Sequence, residues 1–331
     1  MGRKYIKWTV LIIAVALLLI PAYRYYGSID WSKKHSARIA ELPLLQETDD
    51  TGEFRLQIND FEFLVRVAGL QNEGPAVILL HGFPESSIMW TDLLKEAAQE
   101  GYRVVAFDQR GYSPGARPKG IENYHIDALT HDVLEVANRF DFGTFHMVGH
   151  DWGAVVSWNM AMEYPERLHS LTALAIPHID VFFDAILNHP EQQKRSGYMK
   201  TLQKPFLPEY TFIANQQKFF KQMMAENPKD YLEEYIALQA EYGAATATIN
   251  WYRALDLEHI VSQKIYSKTI NRPTLFIWGS EDLVIAPAII PQQKALISAP
   301  YKEVVLPTGH GLIQTEKDTV ISEILLHFKA K

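Results

Sequence analysis

Gly149-His150-Asp151-Trp152-Gly153 lies between an apolar run, Phe145–Val148, and the stretch Ala154–Ala161, which reads as a helix. A strand, a tight turn and a helix, with small residues flanking one reactive side chain, is the geometry of a nucleophile elbow. The two glycines permit the sharp turn and the close approach of helix to strand. The reactive position holds Asp151 rather than the serine of the common form. A carboxylate is already ionised at neutral pH and can attack a saturated carbon, leaving an ester that water later cleaves. For the pentapeptide alone, a strand-end turn with Asp151 capping the next helix is the competing reading.

A nucleophile needs a base and a group to orient that base, in the chain order nucleophile, acid, histidine. Trp278-Gly279-Ser280-Glu281-Asp282 sets an acid just past one apolar run, and Pro307-Thr308-Gly309-His310-Gly311 sets a histidine just past the next. Asp151, Asp282 and His310 are therefore all expected at strand exits, where an open α/β sheet keeps its site. Glu281 is the second candidate for the orienting acid. His81-Gly82-Phe83-Pro84 follows the run Val77–Leu80, so the backbone amides of Phe83 and Trp152 are placed to form an oxyanion hole. His81, Pro84 and His178 are expected at the substrate pocket, with His81 shaping its loop. His150 is read as a supporting residue, and His125, His131, His169 and His259 as surface or core positions.

The elements that would position these residues follow from hydrophobic pattern. Phe54–Ile58 and Phe61–Val67 alternate loosely around Asn59-Asp60, a hairpin signal. Val77–Leu80, Arg103–Asp108, Leu171–Ile176, Thr274–Trp278 and Glu303–Leu306 are short apolar runs, with helical stretches such as Trp90–Gln99 and Asp127–Arg139 between them. This alternation predicts a mostly parallel sheet covered by helices on both faces. Between His178 and Ser267 the strand signal vanishes, and Glu209–Glu226 and Lys229–Tyr242 read as helices of a cap inserted after the sixth strand. The expected organisation is a membrane anchor over 1–26, a linker with a possible helix over 27–48, core over 49–177 and 268–331, and a cap over 178–267.

The 331 residues, 47% hydrophobic and 21% charged, suit one large α/β domain with an insertion. Without cysteine there is no disulfide, thiolate nucleophile or cysteine metal site. The net charge of −7 is uneven, about +6 over residues 1–38 and −13 over the rest, and the acidic body argues against nucleic acid as a partner. Trp8–Tyr23 is an uncharged run bounded by Lys7 and Arg24. As a helix it spans roughly 24 Å, close to a ~30 Å hydrocarbon core. Snorkelling by Lys7 and Arg24 and interfacial Tyr and Trp side chains would complete a single-pass anchor. Export after signal-peptide cleavage is the second reading, disfavoured by the absence of a small-residue cleavage site.

His81–Glu85, Asp108-Gln109-Arg110-Gly111-Tyr112, Gly149–Gly153, Trp278–Asp282 and Gly309-His310 together resemble the α/β-hydrolase family, in the branch of epoxide hydrolases and haloalkane dehalogenases, over about residues 50–328. Asn250-Trp251-Tyr252-Arg253 resembles the epoxide hydrolase motif that carries one ring-opening tyrosine. Ser196–Pro205 more loosely resembles the segment carrying the other, at Tyr198. The resemblance implies attack by Asp151 on an epoxide, with Tyr198 and Tyr252 protonating the ring oxygen. It further implies ester hydrolysis by water that His310 and Asp282 activate. No metal or organic cofactor is implied. Dehalogenase chemistry on the same nucleophile, with Trp152 binding halide, is the nearer second reading; a membrane-tethered binding or sensing module is the more distant. The Phe- and Met-rich cap, with Phe182, Phe183, Phe206, Phe212, Phe219, Phe220, Met223 and Met224, suggests a lipophilic small-molecule substrate.

Overall fold

The computed structural model describes residues 32–209, 218, 220 and 224–330. Its strands are β1 (Gly52–Ile58), β2 (Phe61–Ala68), β3 (Ala76–Leu80), β4 (Arg103–Phe107), β5 (Phe145–His150), β6 (Leu168–Leu174), β7 (Thr274–Gly279) and β8 (Tyr301–Leu306). They form one sheet in the order β1-β2-β4-β3-β5-β6-β7-β8. The hairpin β1–β2 and the β2–β4 pair are antiparallel, and every other pairing is parallel.

Strand β3 explains why its sequence reads as one apolar run. All five of its residues are buried, with Ile78 and Leu80 in one core and Val77 and Leu79 in the other. A strand covered on both faces has no polar side to alternate with. The first core packs against helices Ile126–Arg139 and Trp152–Glu163, the second against Thr91–Gln99 and Lys317–Phe328. Each such side chain contributes ~1.5–3 kcal/mol by leaving water. The helix Trp152–Glu163 is buried from Trp152 through Met162, so it is apolar all round and clamps the elbow from beneath.

The cap runs from β6 to β7 and holds the helices Ile179–Asn188, Pro190–Arg195, Gly197–Leu202, Lys229–Gln239, Ala244–Arg253 and Leu257–Ser262. The helix expected over Lys229–Tyr242 ends earlier, because Gly243 takes the left-handed conformation (φ 80°) and starts the next helix. Tyr242 is 98% exposed at that turn. Residues 224–226 are bend and turn rather than helix, and 210–217, 219 and 221–223 of the expected Glu209–Glu226 helix lie outside the described residues.

The stretch expected to be a linker is part of the folded body. Residues 32–41 are helical, with His35 and Ile39 buried, and Leu45 is buried as well. The Leu45 amide donates to the Arg55 carbonyl at 3.0 Å, and the Arg55 amide donates to that of Pro43 at 2.9 Å, an added edge contact on β1. Local composition conceals this because the cap partners of His35 and Arg38, Glu241 and Glu234, lie about two hundred positions on. The expected anchor over 1–26 lies outside the described residues; among the described residues no helix is long and apolar enough to cross a membrane.

Candidate active site

Asp151 follows the last residue of β5 and adopts φ 51°, ψ −119°, a strained non-glycine conformation that turns the chain into the helix Trp152–Glu163. A Cβ on Gly153 would lie 2.2 Å from the Leu80 carbonyl oxygen, and one on Gly82 would lie 2.5 Å from the Asp151 Cβ. Helix, β3 exit and nucleophile thus close on each other only where these side chains are missing.

Loops at the carboxyl ends of β3, β7 and β8 converge around Asp151. The Phe83 amide donates to Asp151 Oδ1 at 2.8 Å. His310 Nε2 lies 3.3 Å from Asp151 Oδ2, and His310 Nδ1 lies 2.7 Å from Asp282 Oδ2. The Val284 and Ile285 amides donate to Asp282 Oδ1 at 2.6 and 3.3 Å, which fixes that carboxylate. Burial by itself would lower the His310 pKa, but Asp282 and Asp151 overcome it and hold it well above the ordinary value. Burial likewise opposes ionisation of both aspartates, and His310 keeps each below its ordinary range. His310 therefore bridges Asp151 and Asp282, whereas Glu281 is not among its partners.

His150 supports this group from behind. Its Nδ1 donates to Glu85 Oε2 and its Nε2 to the His310 carbonyl oxygen, both at 2.9 Å. Both partners only accept, so both ring nitrogens carry protons and His150 is an imidazolium. Burial opposes that charge, but Glu85 raises the pKa above the ordinary value. Gln314 Nε2 donates to the other Glu85 oxygen at 3.2 Å. Spacing alone does not single out Glu85 or Gln314. Glu85 sits within the His81–Glu85 motif, but its partner is 65 residues away.

The cap supplies the opposite wall. Tyr252 sits between Trp152 and Phe83, with edge-to-face ring contacts at 5.1 and 5.2 Å. Its helix is pinned to the core by Trp251 Nε1, which donates to the Arg110 carbonyl oxygen at 2.9 Å. The Tyr198 and Tyr252 rings meet edge to face with centroids 6.1 Å apart, and both phenols line the space over Asp151. Burial first, and the Asp151 charge among the further causes, push both phenols above their ordinary pKa, so both stay protonated donors. Tyr198 is 41% exposed as a residue, yet its hydroxyl is desolvated among these groups. Between carboxylate and tyrosines lies a cavity of about 20 Å³, lined also by Val155, Ile176, Phe182, Phe183, Met199 and Leu255.

His81, Pro84 and His178 do not line that cavity. His81 is fully buried, with Nδ1 at 2.9 Å from the Gly82 carbonyl oxygen and Nε2 accepting from the Gln109 amide at 3.0 Å, so it braces its loop from behind. Pro84 is buried behind a cis Phe83–Pro84 bond. His178 caps the helix Ile179–Asn188 and packs against Trp158 at 5.1 Å; its burial pushes the pKa down to about 4. Its position at the mouth of the cap in sequence becomes a position beneath the cap in space. Phe206 is 84% exposed and Phe220 is buried in a separate cap cluster, so the aromatic cap residues do not share one role.

The profile of the α/β hydrolase fold family matches residues 75–316. The AB hydrolase superfamily protein YfhM of Bacillus subtilis is 31% identical over 276 residues, covering 82% of this chain and 95% of that protein. Epoxide hydrolase 4 of Mus musculus is 30% identical over 277 residues, covering 79% and 75%. The crystal structure of Epoxide Hydrolase A from Mycobacterium thermoresistibile superposes with a TM-score of 0.73 over 85% of this chain and 98% of that one; at 24% identity this speaks for the fold. An aspartate elbow, a helical cap between β6 and β7 and relatives of this kind lead to one conclusion: the chain belongs to the α/β-hydrolase family, in its epoxide hydrolase branch.

Proposed function

We propose that the protein hydrolyses an epoxide to a 1,2-diol in two steps. The observation that carries this reading is the pair of adjacent phenols, Tyr198 and Tyr252, facing the Asp151 carboxylate across one small cavity. An epoxide opens only if its oxygen receives a proton as the carbon–oxygen bond breaks, and two protonated donors opposite a nucleophile meet that need. Oδ1 of Asp151 is held by the Phe83 amide, which leaves Oδ2 to attack carbon. The ring oxygen takes a phenolic proton, giving a hydroxyalkyl ester.

The ester has lost the Asp151 charge that helps hold the His310 proton. His310 releases that proton, which restores the phenol, and its free Nε2 then takes one from water. The resulting hydroxide attacks the ester carbonyl carbon. The oxyanion at Oδ1 rests on the Phe83 amide, joined by the Trp152 amide at the start of the helix, and the diol leaves with the proton from His310.

The dehalogenase reading would have the Trp152 indole N–H hold a halide, but it gives no role to the two protonated phenols that face Asp151. The six apolar cavity residues support a lipophilic substrate. The run Trp8–Tyr23 supports a membrane anchor, for which retention in membranes after alkaline extraction is the check.

The deciding experiment compares wild type with Asp151→Ala on matched lipophilic epoxides and haloalkanes, scoring diol and halide separately. Diol from wild type alone is expected, together with an ester adduct on His310→Gln by intact mass. Halide without diol would move the assignment to dehalogenase. Full turnover by His310→Gln without an adduct would refute the two-step scheme.

A further inference from the structure

The helix over residues 32–41 has one face committed to the cap. His35, Arg38 and Ile39 are spaced three and four apart, so they share a side of that helix. His35 Nδ1 lies 2.8 Å from Glu241 Oε1, and Ser36 Oγ donates to the same oxygen at 2.8 Å. Arg117 Nη1 from the core reaches Glu241 Oε2 at 2.7 Å. Arg38 Nη2 donates to Glu234 Oε2 at 3.1 Å, beside Arg66 Nη2, which reaches both Glu234 oxygens at 2.9 and 2.7 Å. Glu234 and Glu241 are both buried.

Glu234 lies in the helix before the turn that launches the tyrosine helix, and Glu241 lies in the turn itself. Glu234 lies in the helix Lys229–Gln239, and the Glu241 carbonyl accepts from the amide of Ala244, first residue of Ala244–Arg253. That second helix carries Tyr252. The Glu241 turn therefore sets where the helix that carries the phenol begins. The far end of the helix is held independently, by Gln203 Nε2 donating to the Tyr252 carbonyl at 3.0 Å.

We propose that the helix over residues 32–41 positions Tyr252 for ring opening, with His35 and Ser36 gripping Glu241, so that whatever holds the N-terminus acts on one catalytic step and not the other. The proposal rests on the epoxide-opening role given to Tyr252 above. His35 and Ser36 are positioning residues, and ring opening is the step they serve, because ester hydrolysis belongs to His310 and Asp282 on the core.

The test is single-turnover kinetics on the full chain with a saturating aryl epoxide, following ester formation and ester decay separately by rapid quench and intact mass. His35→Ala with Ser36→Ala should slow ester formation about tenfold, the scale of a sub-ångström misplacement, and change decay less than about twofold. His35→Asn, which keeps a donor near the Nδ1 position, should restore most of the formation rate. In a Tyr252→Phe background the double substitution should add nothing. Equal slowing of both steps, unchanged formation, or a full additive loss in the Tyr252→Phe background would each overturn the proposal. Absence of any ester in wild type would overturn the hydrolase mechanism itself, a distinct outcome visible before any variant is made.

Discussion

Strand β5 carries one buried histidine near each end, His146 and His150, and the two behave oppositely. They are 5% and 2% exposed and, four residues apart on a strand, point to the same face of the sheet. His146 has a serine hydroxyl for a partner, with Ser170 Oγ at 2.8 Å, and lies among His169, Phe328 and Tyr102. Burial chiefly, then the neighbouring histidines, push its pKa down to about 3. His150 has Glu85 at 2.9 Å, and its pKa is raised against equal burial. Desolvation sets the cost of a charge, and only a facing carboxylate repays it. In this mostly parallel sheet the strand exits gather Glu85, Asp151 and Asp282, so the carboxyl end is built to hold protons and the amino end to refuse them.

The sharpest way to break this contrast is Glu85→Gln. The His150 pKa should drop below its ordinary value, and the grip on the His310 carbonyl should weaken with it. Breaking a buried ion pair costs ~3–5 kcal/mol, read by urea unfolding at pH 7. A buried donor left without its partner costs a further ~1–3 kcal/mol at the site, or about 10- to 100-fold in kcat. A variant with wild-type kcat and stability would show that Glu85 is not what charges His150.

A second test uses acid. A histidine whose folded pKa is depressed contributes stability above the unfolded value of ~6.5 and loses it as pH falls toward the folded pKa. His146 should therefore remove about 1.4 kcal/mol per pH unit below ~6.5, continuing down to about 3. His150, with its raised pKa, has the opposite sign: its contribution is complete below ~6.5 and fades as pH rises through the folded value. Denaturant midpoints of wild type and His146→Gln from pH 7 to 5 should diverge, with the variant flatter by close to one proton. Parallel curves would remove His146 from the acid response.

The smallest and most direct test builds the missing charge. Ser170→Asp places a carboxylate where the Ser170 hydroxyl meets His146, and histidine NMR titration should move His146 upward from about 3 toward or past its ordinary value. Activity should stay within about twofold, since the catalytic groups sit at the other end of β5 roughly four residues, or ~13 Å, away.

Local pattern carried most of the sheet. The apolar runs of β3, β4 and β7 have no polar alternation to misread, and the glycines of the elbow are dictated by contacts within a few residues. Asp282 and His310 were legible for a related reason: each directly follows a strand, and a parallel sheet brings such exits together. What escaped was long-range pairing. His150 and Glu85 are neighbours only because β3 and β5 are hydrogen-bonded to each other. The helix over 32–41 looks like linker because its partners Glu234 and Glu241 lie some two hundred positions on, inside the cap. Sequence marks where a cap begins but not which side of it a residue faces, and His178 faces Trp158 in the core rather than the cavity.

The cavity over Asp151 has one more consequence. At about 20 Å³ it holds little more than a water molecule, whereas pockets that bury a small organic ligand run to several hundred Å³. Phe182, Phe183 and Met199 line it, so a larger molecule enters only if they move aside. Affinity is then the intrinsic contact energy discounted by the fraction of time the cap stands relaxed. An open form populated about one per cent of the time weakens apparent binding about a hundredfold, or about 2.7 kcal/mol. Substrate preference in this protein is thereby a matter of which molecules can wait for the opening, as well as of which ones fit once inside.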